Sequence, residues 1–244
     1  MCPKPFFYLL GGMRMMCNSD EESFYLVRPI LEGMSVDKYG IPIIRAVHED
    51  EIDLENFIPT NFQNLRKNRP NNRCLVLNFS FDYKLDRQWN NALAQIPLLT
   101  GCGAVCTPDY SISPQMPPVW FNQYIFRSRY LGGLWQQYTV KVIPTVQWCN
   151  PDTYDICFSS IEPGGIVVVS SLGAHKHPDV FISGFNAMKN ALLPSLIIVY
   201  GDMIKGMSGR FMHIDYSEAF DKKENAPVQI PLFQMSKIFT REAC

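Results

Sequence analysis

The sequence predicts an α/β protein with a mostly parallel sheet, and three observations predict it. From about residue 70, short aliphatic runs alternate with longer helical patterns, the signature of βα units. The runs are hydrophobic almost without interruption, so both faces of the sheet must be covered, as they are between helices. In composition, 47% of the side chains are hydrophobic and 18% charged, the balance of a chain that buries a core and not of a disordered one. Two architectures satisfy the pattern: an irregular or partial (β/α) barrel, or, as the alternative, an open doubly wound sheet in three layers. With no linker-like shift in composition, 1–244 reads as a single domain, in which 1–70 supplies an edge strand and covering loops, 70–215 the βα core and 216–244 a tail.

Taken in order, 41–47 reads as a strand with an early proline, suited to a sheet edge, and 49–72 is polar and broken by prolines. A strand follows at 74–79, then a helix at 86–96 with Asp86 as N-cap, Trp89, Leu93 and Ile96 on one stripe, and Pro97 as its stop. After a strand at 103–106 comes the longest helix, 118–137. Its second half is weakened by Gly132-Gly133 unless those small residues bring it close to the sheet. The spacing of Trp120 and Trp135 tracks helix faces, which reads as core and not as a stacking platform. Next come a strand at 140–145, a short helix at 152–161 and a strand at 166–170. The helix at 178–193 carries Phe181, Phe185, Met188 and Leu192 on one face and is closed by Pro194. A strand at 196–200, a loop at 203–209, a short strand at 211–214 and a solvated charged turn at 221–226 complete the chain.

Charge narrows the partners. With 22 basic and 23 acidic side chains the net charge is −1, so no basic excess supports sequence-independent binding to nucleic acid or to an acidic membrane. The local cluster Arg66-Lys67-Asn68-Arg69 with Arg73 reads as a solvated loop. The apolar stretch within 5–12 breaks after six residues and has only Lys4 before it, a poor signal peptide, and no run approaches the ~18 apolar residues of a membrane helix. The expectation is a protein of the bacterial cytoplasm without membrane partners. Of the eight cysteines none forms a CxxC. Cys102 and Cys106 would share one face of a strand, but a zinc site needs two more ligands, and Cys149, Cys157, His175 and His177 lie in separate segments. Reduced, buried thiols are expected, with no metal and no cofactor.

Both architectures place ligands at the carboxyl ends of the parallel strands, where loops converge and helix N-termini point. Asn78, Ser80 and Asp82 stand at the first such end, Thr107, Asp109, Tyr110 and Ser111 at the second, and Gln147 and Trp148 at the third. Ser170, Ser171 and Gly173 follow the fourth, and Tyr200, Gly201 and Asp202 the fifth. Such a rim of hydroxyls, amides and aromatic rings holds a flat ring against Trp148 or Tyr110 while polar groups read its edge. Asp109 is the candidate general base or nucleophile, a lone carboxylate whose pKa burial would raise; Pro108-Asp109 also fits an ordinary Asx turn or cap. Arg127 and Arg129, two apart on one helix, do not share a face, so at most one meets an anionic ligand. Ser170-Ser171-Leu172-Gly173 resembles a phosphate-binding turn only in its small hydroxyls and glycine, without GxGxxG or a P-loop lysine. His175 and His177 read as part of a solvated turn.

Four blocks carry a resemblance: Cys106-Thr107-Pro108-Asp109-Tyr110-Ser111, Phe126-Arg127-Ser128-Arg129-Tyr130-Leu131-Gly132-Gly133-Leu134-Trp135-Gln136, Lys141-Val142-Ile143-Pro144-Thr145-Val146-Gln147-Trp148 and Val169-Ser170-Ser171-Leu172-Gly173. In this order and spacing they resemble a bacterial and phage family of unknown function over about residues 70–205. The resemblance implies a protein carried by phages and mobile elements of Gram-positive bacteria and brings no activity with it. Two functions are then expected of the residues themselves. One is a metal-independent transferase or hydrolase that binds a nucleotide, a nucleobase or a similar small polar ligand at the strand ends. Asp109 would work in glycosyl or base transfer, with Asn78, Tyr110, Ser111, Arg127, Arg129, Trp148, Ser170, Ser171 and Tyr200 as binding residues. The alternative is a non-catalytic interaction protein directed at a host factor or nucleic acid.

Overall fold

A computed structural model describes residues 8–10, 13–15, 18–68 and 70–216. The turn expected at 221–226, the tail beyond 216, most of the apolar stretch at 5–12 and Arg69 of the basic cluster lie outside those residues. The chain forms two compact units, 1–34 and 35–244. In the first, β1 (Tyr8–Leu10) runs antiparallel to β2 (Met13–Met15), and α1 (Asn18–Val27) ends at Arg28, whose φ of 51° leaves the helical region.

In the second unit, residues 41–47 do not form the expected strand. Asp37 Oδ1 accepts from the Tyr39 and Ile41 amides, and Ile44 N donates to Ser160 O. Arg45 N donates to Gln136 Oε1 and Ala46 N to Glu162 Oε2. With its amides satisfied by side chains and a loop, the segment has no ladder to join. The edge strand is instead β3 (Ile58–Asn61), followed by α2 (Leu65–Asn68), and Pro59 is tolerated there because one side of an edge strand needs no donor.

Next come β4 (Cys74–Leu77), α3 (Asp82–Asn90), α4 (Ile96–Leu99), β5 (Ala104–Cys106), α5 (Pro118–Gln137) and β6 (Val142–Ile143). The chain continues through α6 (Tyr154–Phe158), β7 (Ile166–Ser170), α7 (Pro178–Leu192), β8 (Leu196–Tyr200) and β9 (Phe211–Ile214). Several boundaries differ from expectation, among them β6, shorter than the strand expected at 140–145, and α6, shorter than the helix expected at 152–161. The helix placed at 86–96 begins four residues earlier, because Asp86 is spent on Arg127 and not on a cap, and Pro97 stops nothing: it sits in the first turn of α4, where its missing N–H is not needed.

Every pairing in this unit's strands is parallel, in the orders β3-β4-β5-β6 and β7-β8-β9. A parallel pair between Thr145 and Val168 joins the two, with Val146 N on Val168 O at 2.7 Å and Val168 N on Pro144 O at 2.9 Å. Spatial order therefore follows chain order, as in a (β/α) barrel and unlike a doubly wound sheet, whose order reverses at a switch point. Among the described residues β3 and β9 do not pair, so no closed barrel forms.

Side chains alternate as the strand period of two requires. Leu75, Leu77, Ala104, Cys106, Ile143, Ile166, Val168, Leu196, Ile198 and Ile214 fill the inner face, and Val167, Val169, Ile197 and Val199 pack outward with residues of α5, α6 and α7. Gly132 lets α5 sit close: a Cβ there would lie 2.7 Å from both Ile44 Cδ1 and Thr107 Cγ2. Trp135 is fully buried, whereas Trp120 is 50% exposed and not the core residue expected. Cys74, Cys102, Cys106, Cys149 and Cys157 are free thiols. Among the described residues no helix is long and apolar enough to cross a membrane.

Candidate functional site

The ends of β4, β5 and β6 are tied together by side chains standing in for the ladder. Asn78 Nδ2 donates to Cys106 O at 2.7 Å, Asn78 Oδ1 accepts from Gln88 Nε2 at 2.8 Å, and Asn78 O accepts from Asp109 N at 3.1 Å. Thr107 and Thr145 clamp each other: Thr145 N donates to Thr107 Oγ1 at 2.9 Å and Thr145 Oγ1 to Thr107 O at 2.7 Å. Three of these five hydrogen bonds end on the backbone of 106–109 that presents Asp109.

The Asp109 carboxyl is half-buried, and Gln147 Nε2 reaches both its Oδ1 and Tyr110 O at 2.5 Å. Burial pushes its pKa up to about 7; the Gln147 hydrogen bond and the Arg129 charge pull it down, and Asp82 pushes it further up. Such a carboxyl exchanges its proton near neutral pH, as a general acid or base must. Tyr200, the last residue of β8, is fully buried on the inner face and stacks on Phe79 at 4.4 Å between ring centroids. Its hydroxyl has no hydrogen-bond partner, and its pKa is raised by burial, then by Tyr216, Asp109 and Asp215, so it stays a donor. Asp109 is thus among the charges that keep the Tyr200 hydroxyl protonated.

The remaining candidates are turned to other tasks. Arg127 Nη1 bonds Asp86 Oδ1 at 2.8 Å, and its guanidinium lies over Trp89. Arg129 is fully buried between α5, β6 and α6, donating to Thr145 O at 2.9 Å and Cys157 O at 3.3 Å; burial lowers its pKa to about 10, so it remains a cation. Tyr110 stacks on Tyr124, and Ser111 donates through N and Oγ to Asp82 Oδ1. Ser170 Oγ accepts from Leu172 N, and Ser171 N donates to Tyr200 O. His175 pairs with Asp202 at 3.5 Å.

Trp148 does not meet Asp109. It packs outward on Phe181, Phe185 and Gly184 of α7, because consecutive residues of an extended segment point to opposite sides and Gln147 takes the side of Asp109. Gln147, Phe79 and Asp82 are the residues around Asp109 and Tyr200 that sequence reasoning gave no role; the first and last stood in the strand-end inventory, and Phe79 carried no signal. A cavity of about 430 Å³ lies elsewhere, lined by residues of α6 and α7 such as Phe158, Ala187 and Ala191, with Asp155 held by Lys38 and Tyr39.

Residues 34–217 match a family model described as a domain of unknown function, DUF4417. The chain belongs to the DUF4417 family. Two curated relatives are similar to it: the Gene 1 protein of Mycobacterium phage D29, 32% identical over 126 residues, which are 50% of this chain and 47% of the relative; and the Gene 1 protein of Mycobacterium phage L5, 32% identical over 128 residues, 51% of this chain and 56% of the relative. The chain thus spans about half the length of the curated relatives it matches. No solved structure matches. The resemblance noted over 70–205 is that of a phage family of unknown function, and the DUF4417 match extends it to both sides. It begins where the second compact unit does, so the loops at 35–69 and the edge strand β3 belong to the DUF4417 fold and are not additions to it.

Proposed function

We propose that the strand-end face binds a small polar ring of the nucleobase type and that the protein acts on it as a metal-independent transferase or hydrolase, with Asp109 as acid–base group or nucleophile. One observation carries this: a carboxyl whose proton is exchangeable near pH 7 shares its surroundings with a buried Tyr200 hydroxyl that has no partner. A buried hydroxyl left unpaired costs about 1–3 kcal/mol, a cost a ligand at that position removes. Glycosyl or base transfer fits because it needs one carboxylate and aromatic rings but no metal; Phe79 and Tyr200, stacked on each other and buried, are the rings proposed for it. Support also comes from the partial-barrel order of the strands, since ligands of such folds gather at this end.

The test is a calorimetric titration of the full chain with a panel of nucleosides and free bases, repeated with Asp109→Asn. Binding of at least one member, with turnover at least 100-fold lower in the variant, is expected. No binding by any member, or equal turnover, removes the proposal. A second reading, a non-catalytic protein that captures a host factor, is favoured by two observations: the cavity at α6 and α7, and the exposure of Val119 (77%) and Trp120 (50%) at the start of α5. Pull-down of a host protein that Trp120→Ala abolishes and Asp109→Asn leaves intact is its expected outcome.

A further inference from the structure

The groups that the sequence offers at the strand ends for holding a phosphate are largely engaged within the protein. Arg127 is bonded to Asp86 at 2.8 Å and stacked on Trp89. Arg129 is fully buried, with its Nη atoms on the carbonyls of Thr145 and Cys157. In the turn after β7 three amides are spent internally: Ser171 N on Tyr200 O at 3.1 Å, Leu172 N on Ser170 Oγ at 3.2 Å and Ala174 N on Ser171 O at 3.0 Å.

Three of the helix starts that follow strands disfavour anions as well. The first turn of α3 carries its own carboxylate, Asp82, which accepts from Ser111; α5 opens on Pro117 and Pro118, which have no N–H; α7 opens on Pro178 and Asp179. Around Asp109 and Tyr200 the neighbouring charges are Asp82, Asp215 and the one buried cation Arg129. A phosphate brought there meets the carboxylates of Asp82, Asp109 and Asp215, a like-charge and desolvation penalty together, and the unpaired Tyr200 hydroxyl carries no charge to offset it.

Tyr200 offers a buried hydroxyl without a partner, next to the flat Phe79 ring. We infer that the strand-end site takes an uncharged ring ligand, a nucleoside or free base, and selects against its phosphorylated form. This rests on the strand-end site proposed above and narrows its ligand from nucleotides in general to those without phosphate.

The experiment is a calorimetric comparison of the common nucleosides with their 5′-monophosphates on the full chain at pH 8 and low ionic strength, with Asp109→Asn, Tyr200→Phe and Asp82→Asn alongside. The expected result is at least tenfold tighter binding of one nucleoside than of its monophosphate. Tyr200→Phe weakens the nucleoside at least fivefold, and Asp82→Asn, which keeps an acceptor for Ser111 but no charge, narrows the gap at least threefold. Monophosphate binding that is equal or tighter, yet still sensitive to Asp109→Asn, overturns the selection while leaving the site in place, and so does a gap that Asp82→Asn leaves unchanged. Binding by neither set, or binding indifferent to both Asp109→Asn and Tyr200→Phe, overturns the site together with the selection.

Discussion

The rings of Phe79 and Tyr200 lie face to face, 4.4 Å between centroids and 16° from parallel, although the strands they end, β4 and β8, are not neighbours in the sheet. Contact between the ends of non-adjacent strands on the inner face requires the sheet to curl, so this pair marks that curvature and caps the apolar interior.

Phe79→Ala should therefore destabilise the protein by about 3–5 kcal/mol, the usual cost of deleting a buried phenylalanine. Tyr200→Phe keeps the ring and removes only the hydroxyl without a partner, so stability should hold or rise by about 1 kcal/mol. Urea unfolding of both variants checks this. A Tyr200→Phe loss above about 2 kcal/mol would mean that the hydroxyl is hydrogen-bonded in solution.

Asp109 gives the protein a pH dependence with a defined sign. Its carboxyl titrates at about 7 in the folded chain against an ordinary 3.8, so the native state holds the proton more tightly than the unfolded state does. The stabilising contribution of the protonated group is complete below about pH 4 and is lost as pH rises through 7. Asp109→Asn keeps an oxygen for Gln147 and cannot ionise. Its stability relative to wild type should be near zero at pH 4, grow between pH 4 and 7 and level off above. Thermal unfolding over that range checks the sign, and a flat difference would place the carboxyl's pKa near its ordinary value.

Much of this fold is legible in single runs of residues. The strands at 166–170, 196–200 and 211–214 and the helix at 118–137 match the structure to the residue, because β-branched runs and proline boundaries state their own limits. Ile58-Pro59-Thr60-Asn61 carries no such signal; it is a strand only because β4 offers a ladder, with Ile58 N on Arg73 O at 2.7 Å. Ile41 to Val47 has the signal and lacks the ladder. The same division runs through the site. That Asp109 stands at a strand end follows from the run before it, whereas the choice between Gln147 and Trp148 as its neighbour depends on the register set at Thr145 and Val168. The meeting of Phe79 with Tyr200 depends on curvature that no local pattern encodes.

Arg129 should prove both a brace and an electrostatic neighbour of Asp109. Arg129→Met removes the donors for Thr145 O and Cys157 O and should cost about 3–5 kcal/mol, as expected when one side of a buried polar arrangement is deleted. It also removes the only cation pulling the Asp109 carboxyl down, so that carboxyl should titrate above 7, visible in the carboxyl carbon NMR signal. Arg129→Lys keeps the charge and should leave the Asp109 titration near 7 even where stability falls. An unmoved Asp109 signal in Arg129→Met would show that the two groups do not interact.

Gly184 and Trp148 test which way the third strand end faces. A Cβ on Gly184 would fall on Cδ1 and Nε1 of the indole, so Gly184→Ala has to displace a ring already packed between Phe181 and Phe185. Overpacking of this kind costs about 1–3 kcal/mol, and the tryptophan emission should shift to the red as the indole moves toward water. Trp148→Phe makes room at the same place. Combined with Gly184→Ala it should recover more than half of the loss, a coupling that only residues in contact show. Because Trp148 points to α7 and Gln147 to Asp109, Trp148→Phe should leave ligand binding at the strand ends within twofold of wild type, whereas Gln147→Ala should weaken it and raise the Asp109 pKa by removing its one side-chain donor. The opposite pattern, binding lost with Trp148 and indifferent to Gln147, would put the ligand on the α7 side of the sheet.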